Sequence, residues 1–122
     1  EEFYPAVKTI KLNLAKCEAG DRARVIPKEF NRAVIDLGKQ KAAFDLIFLD
    51  PPYNQDFLAK ALPLCINLLN EGGMVYAEAG AALPYGAPDS ELPEWLAPWE
   101  LVRADKAGIV FYHLLKLHEK PA

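Results

Sequence analysis

The tetrapeptide Asp50-Pro51-Pro52-Tyr53 sets a carboxylate, two prolines and an aromatic ring directly after the apolar run Phe44–Leu49. A run so rich in Phe, Leu and Ile reads as a strand buried on both faces, of the kind found inside a parallel sheet. Open α/β sheets bind ligands outside the carboxyl ends of their strands, and the tetrapeptide falls at that end. Proline fixes φ and has no N–H, so carbonyl acceptors here face a cleft without competing donors. The tyrosine ring offers a flat surface on which an extruded base can stack. Rigid acceptors beside a stacking face suit an exocyclic amino group on a planar ring. The bland reading is a stiff turn with Tyr53 as ordinary packing, and the apolar strand before it is what favours the chemical one.

The elements around this motif alternate. Phe3, Val7, Ile10 and Leu14 fall at helical spacing, which predicts an amphipathic helix ending near Gly20. Residues 22–27, with Val25 and Ile26, form a short strand candidate. Phe30, Ala33, Val34 and Leu37 mark a second helix closed by Gly38, and the Phe44–Leu49 strand follows. A third helical stripe runs through Phe57, Leu58, Ala61, Leu62, Cys65, Leu68 and Leu69, with Pro63 expected to kink or split it. Asn70-Glu71-Gly72-Gly73 reads as a turn and residues 74–78 as another strand. This alternation predicts a parallel sheet with crossover helices. The tail differs: residues 99–105 and 109–117, joined through Lys106-Ala107-Gly108, read as an antiparallel hairpin. Residues 79–98 between sheet and hairpin are rich in Pro, Gly and Ala. They serve as a lid on the substrate side or as a plain connector, with Ser90 placed to cap a short helix through Trp95.

With 122 residues, 52% of them apolar, the chain is one domain or part of one, able to build a core. No stretch approaches the roughly 18 apolar residues of a membrane span, and no basic start followed by an apolar run marks a signal peptide. Cys17 and Cys65 stand apart, without a CxxC or clustered His, so neither zinc nor a disulfide framework is expected. Reduced thiols in a cytoplasmic protein fit better. The net charge of −3 argues against a broad non-specific nucleic-acid surface, which needs clustered Lys and Arg. A small local patch for RNA remains compatible with it.

Asp-Pro-Pro-Tyr resembles the D/N-P-P-Y/F signature of S-adenosylmethionine-dependent amino-methyltransferases. From Glu1 to about Leu117 the chain resembles the carboxyl-terminal two thirds of the bacterial 16S ribosomal RNA guanine-N2 methyltransferases of the RsmD type. The resemblance rests on FDLIFLDPPY, supported by EEFYPAVKTIKLNLA, GGMVYAE and the closing hairpin from Trp99. It implies an α/β, Rossmann-like class I methyltransferase sheet ending in an antiparallel β-hairpin. The family's Gly-rich cofactor loop, first two strands and basic amino-terminal segment have no counterpart here. Residues 1–122 are therefore expected to be a partial methyltransferase domain that does not fold stably as an isolated monomer. A cooperative melt with monomeric sedimentation would overturn that expectation.

The resemblance also implies roles. The Asp50 side chain and the carbonyl of Pro51 or Pro52 would accept hydrogen bonds from the target amine, with Asp50 also bordering the cofactor. Tyr53 would stack on a flipped guanine. Glu1 would take the cofactor ribose hydroxyls, Glu29 the adenine amino group, and the Phe30 N–H would donate to the adenine ring. Relatives carry Asp at the Glu29 position, so this side chain is longer by one methylene. Against these stand plainer readings: Asp50 as a turn cap, Glu1 and Glu29 as acids at helix starts, Asn54 and Gln55 as the start of the third helix. Glu78 ends the next strand on the ligand side and reads first as a solvated strand end, Arg103 and Lys106 as a charged face or as phosphate contacts. His113 and His118 show no partners that mark catalysis or metal binding.

The leading expectation is methyl transfer from S-adenosyl-L-methionine to guanine N2 in 16S rRNA or the small ribosomal subunit, without metal or membrane. Asp-Pro-Pro-Tyr alone equally suits an N6-adenine DNA methyltransferase, and a non-catalytic subunit of the same fold is a further possibility. A nicotinamide-dependent oxidoreductase is disfavoured because nothing after the strands resembles a hydride-transfer site.

Overall fold

The computed structural model describes residues 4–50, 55–86 and 91–118, grouped into two compact units, 1–40 and 41–122. The first unit holds two helices. α1, Tyr4–Lys16, carries the predicted stripe, with Val7 buried and Ile10 on the exposed side. It ends before Gly20, at a turn in which Glu18 takes a left-handed φ of 54°. α2 spans Phe30–Lys39. Gly38 does not close it: the Gln40 N–H caps the Asp36 and Gly38 carbonyls, and Lys41, at φ 56°, turns the chain away. Residues 22–27 form no strand. A strand exists only through a ladder with a neighbour, and among the described residues of this unit there is no other strand to supply one. Lys28 pairs instead with Asp36 on α2, and Arg24 donates to Gln40 at 3.1 Å.

The second unit is a four-stranded mixed sheet in the order β1-β2-β4-β3. β1 (Phe44–Leu49) runs parallel to β2 (Leu69–Ala79), and β2 pairs antiparallel with β4 (Val110–Leu117), which closes the hairpin with β3 (Trp99–Ala107). Between β1 and β2 lies α3, Gln55–Cys65, continued by a 3-10 turn at Ile66–Leu68. Pro63 does not split α3; it stands in the last turn, and the tighter 3-10 winding follows at once. The predicted helix at residues 90–95 is only a 3-10 turn at Glu94–Leu96 after Pro93, and Ser90 lies outside the described residues.

One sheet face makes the core. Leu49, Val75, Ala77, Ala79, His113 and Leu115 are buried, as are Leu58, Ala61, Leu62 and Cys65 of α3, which packs on β2 and on the 3-10 turn carrying Leu96. Burial pushes the Cys65 thiol up to about 11, so it behaves as a small apolar side chain. β1 departs from the sequence reading among the described residues: it is an edge strand there, and Phe44, Leu46 and Phe48 are exposed, Phe48 by 68%. An apolar run reports how much surface a strand can bury, not how many neighbours lie beside it.

The predicted turn at Asn70-Glu71-Gly72-Gly73 lies inside β2 as an outward fold of the strand. Phe44 pairs with Leu69 and Leu46 already with Met74, so β2 spends extra residues there. Gly72 has φ 77°, which favours glycine. A Cβ on Gly73 would stand 2.9 Å from the Asn70 carbonyl oxygen and 3.0 Å from that of Phe44. Gly73→Ala should therefore cost about 1–3 kcal/mol, the usual range for forcing atoms into packed space. Gly86→Ala, with open space around it, should change the melting temperature little. Equal effects of the two would refute this account of the bulge.

Candidate active site at the carboxyl ends of β1 and β2

Leu49 is the last residue of β1 and is buried; Asp50 follows it and is exposed. The core therefore anchors the strand up to the residue before the carboxylate, which leaves the sheet at its carboxyl end. α3 begins at Gln55, five residues after Asp50. Pro51, Pro52 and Tyr53, together with Asn54, lie outside the described residues, and so does Glu1.

The parallel register aligns Phe48 with Tyr76 and Leu49 with Ala77, so Asp50, directly after β1, and Glu78, still within β2, each come one residue beyond the last pair. Glu78 in turn pairs with Tyr112 on β4. Side chains alternate along a strand, so Phe48, Tyr76, Glu78 and Tyr112 share the face opposite the core. The ring centroids of Phe48 and Tyr76 are 5.4 Å apart, and those of Tyr76 and Tyr112 are 5.9 Å apart at an interplanar angle of 22°. The Tyr76 hydroxyl donates to Glu78 Oε1 at 3.0 Å. Burial raises the Tyr76 pKa, and the hydrogen bond to Glu78 and the charges of Glu78, Tyr112 and Asp50 raise it further. The hydroxyl thus stays protonated and keeps donating. Glu78 is not the freely solvated strand end that its sequence position suggests: it is half-buried and held by a tyrosine that is itself stacked.

The segment leaving β2 is fastened by a residue whose role sequence alone does not reveal. His113 is 2% exposed; its Nε2 accepts the Leu83 N–H at 3.1 Å, and its Nδ1 lies 3.2 Å from the Ala77 carbonyl oxygen. Because Nε2 accepts, the neutral ring carries its proton on Nδ1 and donates it to Ala77. Burial lowers the His113 pKa, with the Ala77 bond opposing in part. Two residues on, the Tyr85 hydroxyl donates to the Trp99 carbonyl at 3.1 Å, and burial pushes its pKa up to about 12. The alternation of His113 with apolar neighbours in β4 was the available signal that it faces the core.

Glu29 stands at the N-cap of α2, where its Oε1 accepts the Asn31 N–H at 3.1 Å; Phe30 is the first helical residue and half-buried. The plainer reading of Glu29, an acid at a helix start, is thus realised, and its Oε2 has no hydrogen bond from the described residues. Lys106 lies on the exposed hairpin with its amino group 5.1 Å from the centre of the Phe111 ring, and Arg103 is exposed on the same strand. Among the described residues no helix is long and apolar enough to cross a membrane.

With this geometry in hand, comparison with known proteins places the chain. The family described as conserved hypothetical protein 95 matches residues 1–116. A Bacillus subtilis protein provisionally named rRNA methyltransferase YlbH is 31% identical over 108 residues, covering 87% of this chain and 55% of its own length. The ribosomal RNA small subunit methyltransferase D of Haemophilus influenzae is 30% identical over 108 residues, covering 84% of this chain and 49% of its own. The chain thus spans about half the length of the curated relatives it matches. Among solved structures, the Escherichia coli protein yhhF, provisionally named a methyltransferase, is 26% identical with a TM-score of 0.71, over 98% of this chain and 63% of that one. The sheet, with its parallel pair and closing antiparallel hairpin, is the carboxyl-terminal portion of a class I methyltransferase fold. The chain belongs to the conserved hypothetical protein 95 family, the RsmD family of methyltransferases.

Proposed function

We propose that the full-length protein transfers the methyl group of S-adenosyl-L-methionine to the exocyclic N2 of a guanine in 16S ribosomal RNA, free or within the small ribosomal subunit. One observation carries the reading: an exposed carboxylate, followed by Pro-Pro-Tyr, leaves the carboxyl end of a parallel strand in a family with curated rRNA methyltransferases. Residues 1–122 contribute the carboxyl-terminal part of the domain, a reading supported by the exposed apolar side chains of β1. The site of action on this reading is the bacterial cytoplasm, where ribosomes are made.

The cofactor supplies an electrophilic methyl group on sulfur. The donor set here fits it in one respect: Glu29, at the mouth of α2, has an exposed carboxylate with one oxygen unclaimed by the described residues, suited to an adenine amino group. The Phe30 N–H is proposed to meet the adenine ring and Glu1 the ribose hydroxyls. Asp50, with the carbonyl of Pro51 or Pro52, accepts the hydrogens of the target amine and aims its lone pair. Tyr53 stacks on the base. An amine conjugated to a purine is a weak nucleophile, so orientation and stabilisation of the charge developing on nitrogen provide the acceleration. Asp50 need not be a strong base, because the proton leaves after transfer.

The test is the full-length protein with labelled S-adenosyl-L-methionine and small-subunit RNA or particles lacking the modification, digested to nucleosides for mass spectrometry. N2-methylguanosine is the expected product. Methylated adenine would move the assignment to the other amino-methyltransferase chemistry, and no transfer with cofactor still bound would leave a binding subunit. Tyr53→Ala should weaken RNA binding by about tenfold or more, in line with the roughly 1–3 kcal/mol of a base-stacking contact, while cofactor affinity holds. Equal loss of both would signify misfolding.

A further inference from the structure

We propose that Glu78, oriented by the Tyr76 hydroxyl, is a specificity-determining residue that accepts the N1–H of the target guanine beside the amine held at Asp50. This rests on the guanine-N2 reading above and adds to it the group that chooses the base.

Leu49, the last residue of β1, pairs with Ala77, so Asp50 and Glu78 each come one residue later at the same end of neighbouring parallel strands. Such strands stand about 4.8 Å apart, and the Asp50 charge acts on Tyr76. Guanine presents its N2 amine and N1–H side by side on one edge, two donors in a row. Adenine presents an amine beside N1, which is an acceptor. A carboxylate next to the amine site therefore completes guanine and opposes adenine, lone pair against lone pair. Sites built to hydrogen-bond a substrate N–H reject analogues lacking it strongly, because their own polar group is left unpaired.

Tyr76 makes this more than proximity. Its hydroxyl occupies Glu78 Oε1, and among the described residues no hydrogen bond reaches Oε2. The tyrosine is stacked on Tyr112 and tilted against Phe48, so the carboxylate is held in place before any base arrives. The plain reading is that Glu78 only satisfies a half-buried phenol. The two readings differ on a glutamine. In Glu78→Gln the amide oxygen still accepts from Tyr76, which fixes the amide and turns its NH2 to the position of Oε2. A donor then faces the base: wrong for the N1–H of guanine, right for the N1 acceptor of 2-aminopurine, which keeps the N2 amine.

The experiment uses the full-length protein and small-subunit RNA carrying either guanosine or 2-aminopurine riboside at the nucleotide that the wild type methylates. Wild type should prefer guanine by roughly 100-fold or more in kcat/KM, and Glu78→Gln should shrink that preference below about tenfold, with an unchanged melting temperature. Tyr76→Phe, which frees the carboxylate to rotate, should reduce the preference severalfold and serves as a second variant should the first not fold. An unchanged preference in a folded Glu78→Gln or Tyr76→Phe protein overturns the role of Glu78 while leaving guanine methylation intact. Failure of the wild type to form N2-methylguanosine overturns the functional reading itself, and this inference with it.

Discussion

Asp50→Ala is expected to lower kcat/KM for methyl transfer by about 100-fold or more in the full-length protein, with the affinity for S-adenosyl-L-methionine changed less than about threefold. On the proposed mechanism Asp50 meets the amine only as it is being aligned for attack, so its loss would fall on the transition state rather than on binding. Asp50 is exposed and follows a strand whose last residue is buried, so the substitution removes no packing, and the variant should melt like the wild type. Asp50→Asn keeps a side-chain acceptor and should retain much more activity than the alanine variant. A loss under tenfold for Asp50→Ala, less than about 1.4 kcal/mol, would show that the carboxylate does not align the amine.

His113→Phe carries the largest expected effect on stability. The ring volume is nearly kept, but the Leu83 N–H loses its acceptor and the Ala77 carbonyl loses its donor inside the core. Buried polar groups stripped of their partners cost about 1–3 kcal/mol each, so a loss of about 3 kcal/mol is expected from denaturant unfolding. The same bonds set a pH dependence. The ordinary value is 6.5, and burial lowers it in the folded protein, so the unfolded chain binds the proton more readily. The stabilisation is complete well above 6.5 and declines as the pH falls from there toward the folded value. Protonation would also place a second N–H against that of Leu83, loosening the segment beyond β2. Stability measured from pH 8 to 5 should fall in wild type and fall less in His113→Phe; parallel curves would show that another group governs the acid response.

What could be read without coordinates divides along a physical line. The strand Phe44–Leu49, the third helix up to Cys65 and the closing hairpin are local facts, set by apolar periodicity and by turn residues such as Gly108 at φ 62°. The same holds for the position of Asp50, because a strand-to-loop boundary is written in the change from Phe44–Leu49 to Asp-Pro-Pro. The expected strand at residues 22–27 failed because strand formation depends on a neighbour, which no local pattern supplies. Among the described residues β1 lies at the sheet edge rather than buried on both faces: its hydrophobicity is intrinsic, but which strands lie beside it is a matter of topology.

Glu78 and His113 show the division most plainly. By sequence each is a lone polar residue in an apolar strand, one at its end and one in its middle. Their roles arise from pairings between segments far apart in the chain: Phe48 beside Tyr76, Ala77 beside His113, and Leu83 folded back onto the imidazole. The amino-acid sequence by itself determined the alternating elements, the family and the place of the Asp50 carboxylate at the end of a strand, since these rest on residue types and short-range spacing. Only the tertiary structure decided that Glu78 is held by Tyr76 and that His113 fastens the segment after β2, because such contacts depend on register and burial, which belong to the folded chain alone.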